Sequence, residues 1–317
     1  MTGSRPALVV GAGGLLGGAL VRHLRFSGRD VRAAVVPWRD RESAVSALRD
    51  AVLAVADDAG ERGYEVAWCA GSSVTSSSAA SLADERALVE AAVDALLATG
   101  ALGAARVFLA SSAGGVYAGS SEPPYDEATA PAPISGYGEL KLATEEAFRR
   151  LAVEGGARVL IGRLSNLYGP GQDLGKSQGL VSHLVRAQLT GQPVSVYVSM
   201  DTLRDYLFVD DAAAKVADGL ADLDTVAAPG AVVVKILASQ RSDSIAELLG
   251  EVRRVFRSRP RLLVQASGHA AAQARDLRLR SVVWPELDAR PVTPLAVGIH
   301  RTALALDALI RAGSLAR

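Results

Sequence analysis

The sequence is poor in cysteine and carries no net charge. Of its 317 residues one is a cysteine, Cys69, so no disulfide can form within the chain, and we expect a cytoplasmic protein. Cys69 stands between Trp68 and Ala70, a setting typical of a small buried side chain rather than a reactive thiol. The 34 basic residues balance 34 acidic ones, so the charge of the whole protein would recruit neither nucleic acid nor an anionic membrane.

Several other signals are missing. No apolar run approaches the ~20 residues that span a bilayer, and the first residues show no secretion signal, so we expect no membrane partner. No Gly-x-Ser-x-Gly motif is present, which argues against a hydrolase of that type. The histidines lack the spacing of metal ligands, so we predict no metal site; they are His23, His183, His269 and His300.

A glycine-rich segment lies between a predicted strand and a predicted helix near the N-terminus. The apolar run Ala7-Leu8-Val9-Val10 leads into the glycines, and apolar residues then recur at helical spacing. In this context glycines let the backbone approach a pyrophosphate, whose charge faces the helix N-terminus. We therefore predict a dinucleotide-binding turn, with cofactor contacts from Gly11, Gly13, Gly14, Leu15, Leu16 and Gly17.

The next predicted strand, at residues 31–36, is not followed by the acid that NAD-preferring proteins use. That acid binds the ribose hydroxyls and stands about twenty residues after the last glycine, a count that here falls on residues 35–37. Arg39 and Arg41 follow, and either could face a 2′-phosphate, so the sequence favours NADP. Two alternatives stay open: the arginines are solvated loop charges, or Asp40 replaces the acid and NAD is the cofactor.

Strands and helices alternate up to about residue 164. This alternation predicts an α/β fold with a doubly wound, Rossmann-type parallel sheet, although one expected strand beside the helix at 41–60 is not recognisable. We predict a dinucleotide-binding domain at 1–164 and a smaller, mainly substrate-binding C-terminal lobe at 165–317, with segments around 194–237 returning to the core. The predicted strands are 65–70, 106–110 and 159–161, and the predicted helices are 41–60, 82–99 and one from Tyr137.

Tyr137 and Lys141 stand four residues apart at the predicted start of a helix. At that spacing both side chains point from one face, and an ammonium beside a phenol favours the phenolate. A tyrosine placed in this way can exchange a proton with a carbonyl or an alcohol. Ser111 and Ser112 follow the strand at 106–110, at the sheet edge where ligands bind. The residues therefore predict hydride chemistry on an alcohol/ketone pair.

With these residues placed, the chain resembles the extended short-chain dehydrogenase/reductase family, in its NAD(P)-dependent epimerase/dehydratase group that acts on nucleotide sugars. The resemblance covers roughly residues 7–249. It rests on five motifs in the family's order: Gly11-x-x-Gly14-x-x-Gly17, Ser111-Ser112 with Val116-Tyr117, Tyr137-x-x-x-Lys141, Asn166-Leu167-Tyr168-Gly169-Pro170, and Arg204-Asp205-Tyr206.

The resemblance implies a role for each of these residues. Tyr137 would be the acid/base, Lys141 would favour its ionised form and hold the nicotinamide ribose, and Ser112 would orient the substrate oxygen. Arg204 would pair with the substrate diphosphate, which suits a guanidinium fork; the alternative is an ion pair with Asp205 or Asp210. The other implied contacts are Ala70, Ser111 and Leu164 with the cofactor and Asn166 with the substrate. Arg280 belongs to a basic cluster that either binds the nucleotide diphosphate or is a solvated face.

Two departures from the family pattern bear on the activity. Counted from Val116-Tyr117, the usual hydroxyl residue falls on Ala113, so Ser112 is our first choice for that role and Ser111 our second. The Asp-Glu pair of the family's sugar 4,6-dehydratases is replaced by Ala113-Gly114-Gly115. Without those carboxylates, dehydration of the sugar is not expected.

The sequence thus predicts NADP-dependent reduction of a nucleotide-linked 4-keto sugar, of the kind found in deoxysugar pathways. The resemblance also implies a homodimer that pairs through the helices at 82–99 and 137–152. One alternative is a nucleotide-sugar 4-epimerase with tightly bound NAD. The other is a non-catalytic dinucleotide-binding sensor, against which the Tyr137/Lys141 pair argues, since a sensor needs no tuned phenol.

Overall fold

The structure is a computed structural model that describes residues 4–176, 178–264 and 274–314; His269 lies outside this range. In chain order its strands are β1 Ala7–Val10, β2 Val31–Ala33, β3 Tyr64–Trp68, β4 Ala105–Ser112, β5 Arg158–Leu164, β6 Asn166–Tyr168, β7 Val194–Val196, β8 Leu203–Phe208, β9 Val232–Leu237, β10 Ser242–Ser244, β11 Leu262–Val264 and β12 Asp276–Leu277. Its helices are α1 Leu15–Phe26, α2 Arg41–Ala59, α3 Ala79–Leu97, α4 Ala113–Tyr117, α5 Gly136–Val153, α6 Leu180–Thr190, α7 Val209–Asp222, α8 Ile245–Phe256 and α9 Leu295–Arg311. None of the described helices is long and apolar enough to cross a membrane.

Six strands form one parallel sheet in the order β2-β1-β3-β4-β5-β9. Successive side chains of β1 point to opposite faces of this sheet. Leu8 and Val10 pack with residues of α2, α3 and α5, whereas Ala7 and Val9 pack with residues of α1 and α7. Both faces are therefore covered, which is why the strands read as continuous apolar runs. The prediction of a doubly wound α/β fold is confirmed.

The sheet is shorter at the β2 edge than the sequence predicts. β2 covers three residues instead of 31–36, although the N–H of Ala34 still donates to the carbonyl of Val9 at 2.9 Å. The structure describes all of the chain between Ala33 and Tyr64, and no strand lies there. α2 instead leads to β3 on the other side of β1. The strand that the sequence failed to show is therefore absent.

A smaller sheet is built around β8 in the second half of the chain. β10 pairs with β8 antiparallel, β12 and β6 pair with it in parallel, and β7 and β11 form a separate parallel pair. α6, α8 and α9 enclose a second core that includes Tyr168, Phe208 and Leu248. By contrast, β9 joins the main sheet and α7 packs against α1. The carboxyl ends of β1, β3, β4 and β5 meet at one edge of the main sheet, where parallel sheets bind ligands.

Candidate active site

The glycine turn brings the ends of β1 and β3 unusually close together. Gly11 has a φ of +85°, and a Cβ there would lie 2.6 Å from the backbone nitrogen of Ala70. A Cβ on Gly17 would lie 2.2 Å from the carbonyl oxygen of Gly11, so α1 packs directly on the turn. Gly14, the residue before α1, makes no capping bond from a side chain. The first-turn N–H groups of α1 thus suit an anion such as a pyrophosphate, and the turn fits a dinucleotide.

The segment after β2 carries no acid that is free to bind a ribose. Asp40 caps α2, since its carboxylate accepts the N–H of Ser43 at 2.8 Å, and hydrogen bonds from Ser43 lower the pKa of Asp40. Arg39 is exposed, and Val35 is 90% exposed in the stretch where the acid was sought. Asp40 therefore has a structural task, while Arg39 remains available to a ligand at this edge.

Tyr137 lies in the first turn of α5, as the sequence predicts. The hydroxyl of Ser135 caps this helix by accepting the N–H of Gly138 at 3.3 Å. The ammonium nitrogen of Lys141 lies 5.5 Å from the centre of the Tyr137 ring, and Lys141 is 8% exposed. The spacing of four residues thus places a buried positive charge beside the phenol.

The two serines have different environments. The Ser111 hydroxyl donates to Glu145 at 2.5 Å, deep in the protein. The Ser112 hydroxyl accepts the N–H of Gly115 at 3.1 Å, at the start of α4, and its own proton can still be donated. A Cβ on Gly115 would lie 3.4 Å from the Cβ of Ser112 and 3.1 Å from Cε1 of Tyr137. Ser112 and the Tyr137 ring therefore both lie beside Gly115, whereas the Ser111 hydroxyl is already bonded to Glu145. This favours Ser112 over Ser111 as the hydroxyl that meets a substrate.

Ser111 belongs to a buried network that supports the ends of β4 and β5. Glu145 on α5 forms an ion pair with Arg163 at 2.7 Å, and both side chains are almost completely buried. Arg163 also donates to the hydroxyl of Tyr117 at 2.6 Å. Burial raises the pKa of Tyr117 and outweighs the Arg163 charge. Ala113, at the family's usual hydroxyl position, is fully buried in an apolar cluster with Tyr117.

Arg204 is buried without an acidic partner among the described residues. Its one recorded hydrogen bond goes to the carbonyl of Leu203 at 2.8 Å, and burial lowers the pKa of Arg204. The alternative pairing with Asp205 is not observed, because that carboxylate accepts hydrogen bonds from Ser239 and Arg241. Among the described residues the Arg204 guanidinium thus forms no ion pair, although the charge of Asp276 acts on it, and this suits it to an anion.

The other predicted contacts are spread over the same half of the molecule. Leu164 ends β5 and pairs in register with Ser112. The Asn166 side chain is exposed and donates to the carbonyl of Asp205 at 2.9 Å. Arg280 lines a separate open cavity of about 440 Å³, together with residues of the segment 120–130. No other predicted site residue lines that cavity.

The sequence reasoning missed Glu85, on the inner face of α3. Its carboxylate accepts the N–H of Ser72 at 3.0 Å and the N–H of Ser73 at 2.8 Å. The serine-rich segment at 71–81 is thus anchored at its start. The periodicity of α3 shows which residues face inward, but no local pattern indicates which loop such a residue meets.

The fold and this site define a Rossmann-type protein with a tyrosine and a lysine beside a dinucleotide-binding turn. The model of the NAD dependent epimerase/dehydratase family matches residues 7–234. The chain belongs to this family.

Three relatives show what the chain is similar to. It is 33% identical over 109 residues to the dTDP-4-dehydro-6-deoxyglucose reductase of Escherichia coli, covering 34% of each chain. It is 35% identical over 94 residues to the dTDP-L-rhamnose 4-epimerase of Burkholderia thailandensis, covering 29% of this chain and 26% of the relative. These matches thus span about a third or less of the relatives' length. The structure of MoeE5 in complex with UDP-glucose and NAD has a similar fold, with a TM-score of 0.78, 22% identity and coverage of 96% of this chain and 99% of the other.

Proposed function

We propose that this protein reduces the keto group at C4 of a nucleotide-linked sugar, with NADPH as the cofactor. The dinucleotide, when bound at the glycine turn, supplies the hydride. Tyr137 donates its proton to the keto oxygen, and the Ser112 hydroxyl donates a hydrogen bond to the same oxygen. Lys141 holds the nicotinamide ribose. The observation that supports this assignment is that Ser112 and the Tyr137 ring both lie beside Gly115, with Lys141 beside the phenol.

The substrate's nucleotide diphosphate is assigned to Arg204, with Asn166 beside it. Arg204 is a buried guanidinium whose one recorded hydrogen bond goes to a backbone carbonyl, and its planar fork matches a diphosphate. The relatives that act on dTDP-linked sugars support this class of substrate. Arg280 lies in a different cavity, where it would contact the outer part of the nucleotide.

Two features favour reduction by NADPH. Asp40 is engaged at the start of α2, whereas Arg39 and Arg41 are exposed and available to the adenosine ribose. α4 begins with Ala113-Gly114-Gly115, so no carboxylate there can move the proton that elimination of water requires. Reduction by NADPH requires neither an acid at the adenosine ribose nor a carboxylate at the start of α4.

The test is reduction of a dTDP-linked 4-keto-6-deoxy sugar by the purified protein, followed as loss of NADPH absorbance. We expect turnover with NADPH to exceed that with NADH, and the Tyr137→Phe variant to lose activity by ~100-fold or more. The matched control is Glu139→Gln, which changes an exposed side chain two residues from Tyr137 on α5. Absence of turnover with either cofactor would refute the proposal.

A 4-epimerase is the second candidate, because it would use the same side chains and one relative is a 4-epimerase. Mass spectrometry of nucleotide released from the native protein separates the two functions. Exchangeable NADPH supports the reductase. Stoichiometric NAD that does not exchange, together with interconversion of two 4-epimers without net oxidation, would support the epimerase.

We also propose that the protein is a homodimer in which α3 and α5 of the two copies form a four-helix bundle. These helices pack side by side against the sheet. Their solvent faces carry ion pairs such as Arg86–Glu90 and Arg150–Asp94, which a partner would have to accommodate. Light scattering after gel filtration tests this, and a mass of one chain would refute it.

A further inference from the structure

Glu85, a residue of α3, is hydrogen-bonded to the segment that follows β3. One carboxylate oxygen accepts three hydrogen bonds, from the N–H of Ser72 at 3.0 Å, the hydroxyl of Ser72 at 3.0 Å and the N–H of Ser73 at 2.8 Å. A carboxylate with several such donors is held in one orientation. Glu85 therefore has a defined position in the site rather than a solvated one.

The second oxygen of Glu85 points toward Lys141 across Gly71. A Cβ built on Gly71 would lie 3.3 Å from that oxygen and 3.4 Å from the Lys141 nitrogen. The two charged groups therefore flank the same small space without a direct ion pair. Burial alone would raise the pKa of Glu85, but the Lys141 charge and the hydrogen bonds from Ser72 and Ser73 outweigh it and hold this pKa below its usual range. Glu85 is thus a negative charge beside Lys141.

We propose that Glu85 is a positioning residue that fixes the Lys141 ammonium and limits how strongly this charge acts on the Tyr137 phenol. The Lys141 nitrogen lies 5.5 Å from the centre of the Tyr137 ring, and it shares the space beside Gly71 with an oxygen of Glu85. A negative charge close to Lys141 opposes the field of this ammonium at the phenol. This inference rests on the proposed acid/base role of Tyr137 and adds a residue to that site.

The other charged groups near Tyr137 and Lys141 do not duplicate this effect. On α5 itself, Glu139 is exposed to solvent and Glu145 is neutralised by Arg163 of β5. On α4, Tyr117 is bonded to the same arginine. From the substrate lobe, Lys176 reaches only the carbonyl of Ser72, at 3.5 Å. Glu85 is therefore the negative charge that α3 places beside Lys141.

The hydrogen bonds from Ser72 to Glu85 also affect the contact between Ser72 and Lys176. Because it holds Ser72, it fixes the carbonyl that Lys176 approaches from the segment between β6 and α6. That segment belongs to the half of the chain in which the sugar is proposed to bind. Glu85 thus connects Lys141 with the segment between β6 and α6.

The test uses the Glu85→Gln variant, which keeps an acceptor for the serines but removes the charge. Tyrosinate absorbance at high pH is measured for each protein, and the same curve for a matched protein carrying Tyr137→Phe is subtracted, which isolates Tyr137. We expect the Glu85→Gln substitution to move this difference transition to lower pH by ~0.5 unit or more, because the positive field at the phenol increases. Glu90→Gln, on the exposed side of the same helix, removes an equal charge and should leave the transition in place.

A transition at the wild-type pH in Glu85→Gln would overturn the proposal, even if the variant were less stable. If Glu85→Gln fails to fold, Glu85→Asp replaces it: withdrawing the carboxylate by one methylene group must shift the transition in the same direction by a smaller amount. Because the titration needs no substrate, it separates this inference from the proposed reaction. A shift in a protein that reduces no 4-keto sugar would refute the reaction and leave the role of Glu85 standing.

Discussion

Replacing Glu145 with glutamine should destabilise the protein more than any comparable surface change. Glu145 accepts a hydrogen bond from Ser111 at 2.5 Å and two from Arg163 at 3.0 Å and 2.7 Å. Both members of the ion pair are almost completely buried. The variant leaves the Arg163 guanidinium inside the protein with no opposite charge. Removing one partner of such a pair costs about 3–5 kcal/mol of unfolding free energy.

The assay is urea unfolding followed by circular dichroism, with the free energies compared at an unchanged m value. The control is Glu146→Gln, one residue further along α5, whose side chain is 78% exposed and lies 3.6 Å from Arg149. An exposed pair of this kind contributes at most about 1 kcal/mol. If both variants lost the same small amount, the argument that Arg163 depends on Glu145 would be wrong.

A double variant sharpens this test. Combining Glu145→Gln with Arg163→Met removes both charges, so no unpaired ion remains inside the protein. The combined loss should be smaller than the sum of the two single losses by about 1–3 kcal/mol. Additive losses would indicate that the two side chains contribute independently.

Two further predictions concern Arg204 and Asp224. Arg204→Lys keeps the charge but removes the planar fork, so KM for the nucleotide sugar should rise by ~10-fold or more while kcat changes less. An unchanged KM would contradict the proposal that Arg204 binds the diphosphate. A hydrogen bond from Arg106 holds the pKa of Asp224 below its ordinary value of 3.8. This stabilisation is present above pH 3.8 and is lost as pH falls through the folded-state pKa. The stability difference between wild type and Asp224→Asn should therefore shrink as pH drops below ~4, and a constant difference in urea titrations down to ~pH 2.5 would contradict it.

Most elements of the main sheet were predictable from local patterns. Buried parallel strands are short apolar runs, and β4, predicted at 106–110, was found at Ala105–Ser112. β2 was predicted too long, because Ala34 to Val36 have the composition of a strand but lie at an edge with β1 as its one partner. The helix α4 was not predicted, since its five residues follow directly from β4 and contain two glycines that disfavour a helix.

The features of the candidate site were likewise predictable only where they depend on neighbouring residues. The Tyr137–Lys141 spacing is a property of a single helix, and the structure reproduces it. The serine register is not local, because the acceptor of Ser111 lies 34 residues further along the chain. The charge state around Arg204 likewise depends on backbone N–H groups at Ser239 and Arg241, which draw Asp205 away from it.

The sequence alone determined the features that rest on neighbouring residues: the glycine turn, the alternation of strands and helices, and the pairing of Tyr137 with Lys141. Helix and strand periodicities involve residues close together in the chain, so these features can be recognised from the sequence alone. Only the tertiary structure decided that Ser112 and Tyr137 both lie beside Gly115, that Arg204 forms no ion pair with the described acids, and that Glu85 stands beside Lys141. Each of these depends on which distant segments share a buried space, where an unpaired charge or hydrogen-bonding group carries a large free-energy cost.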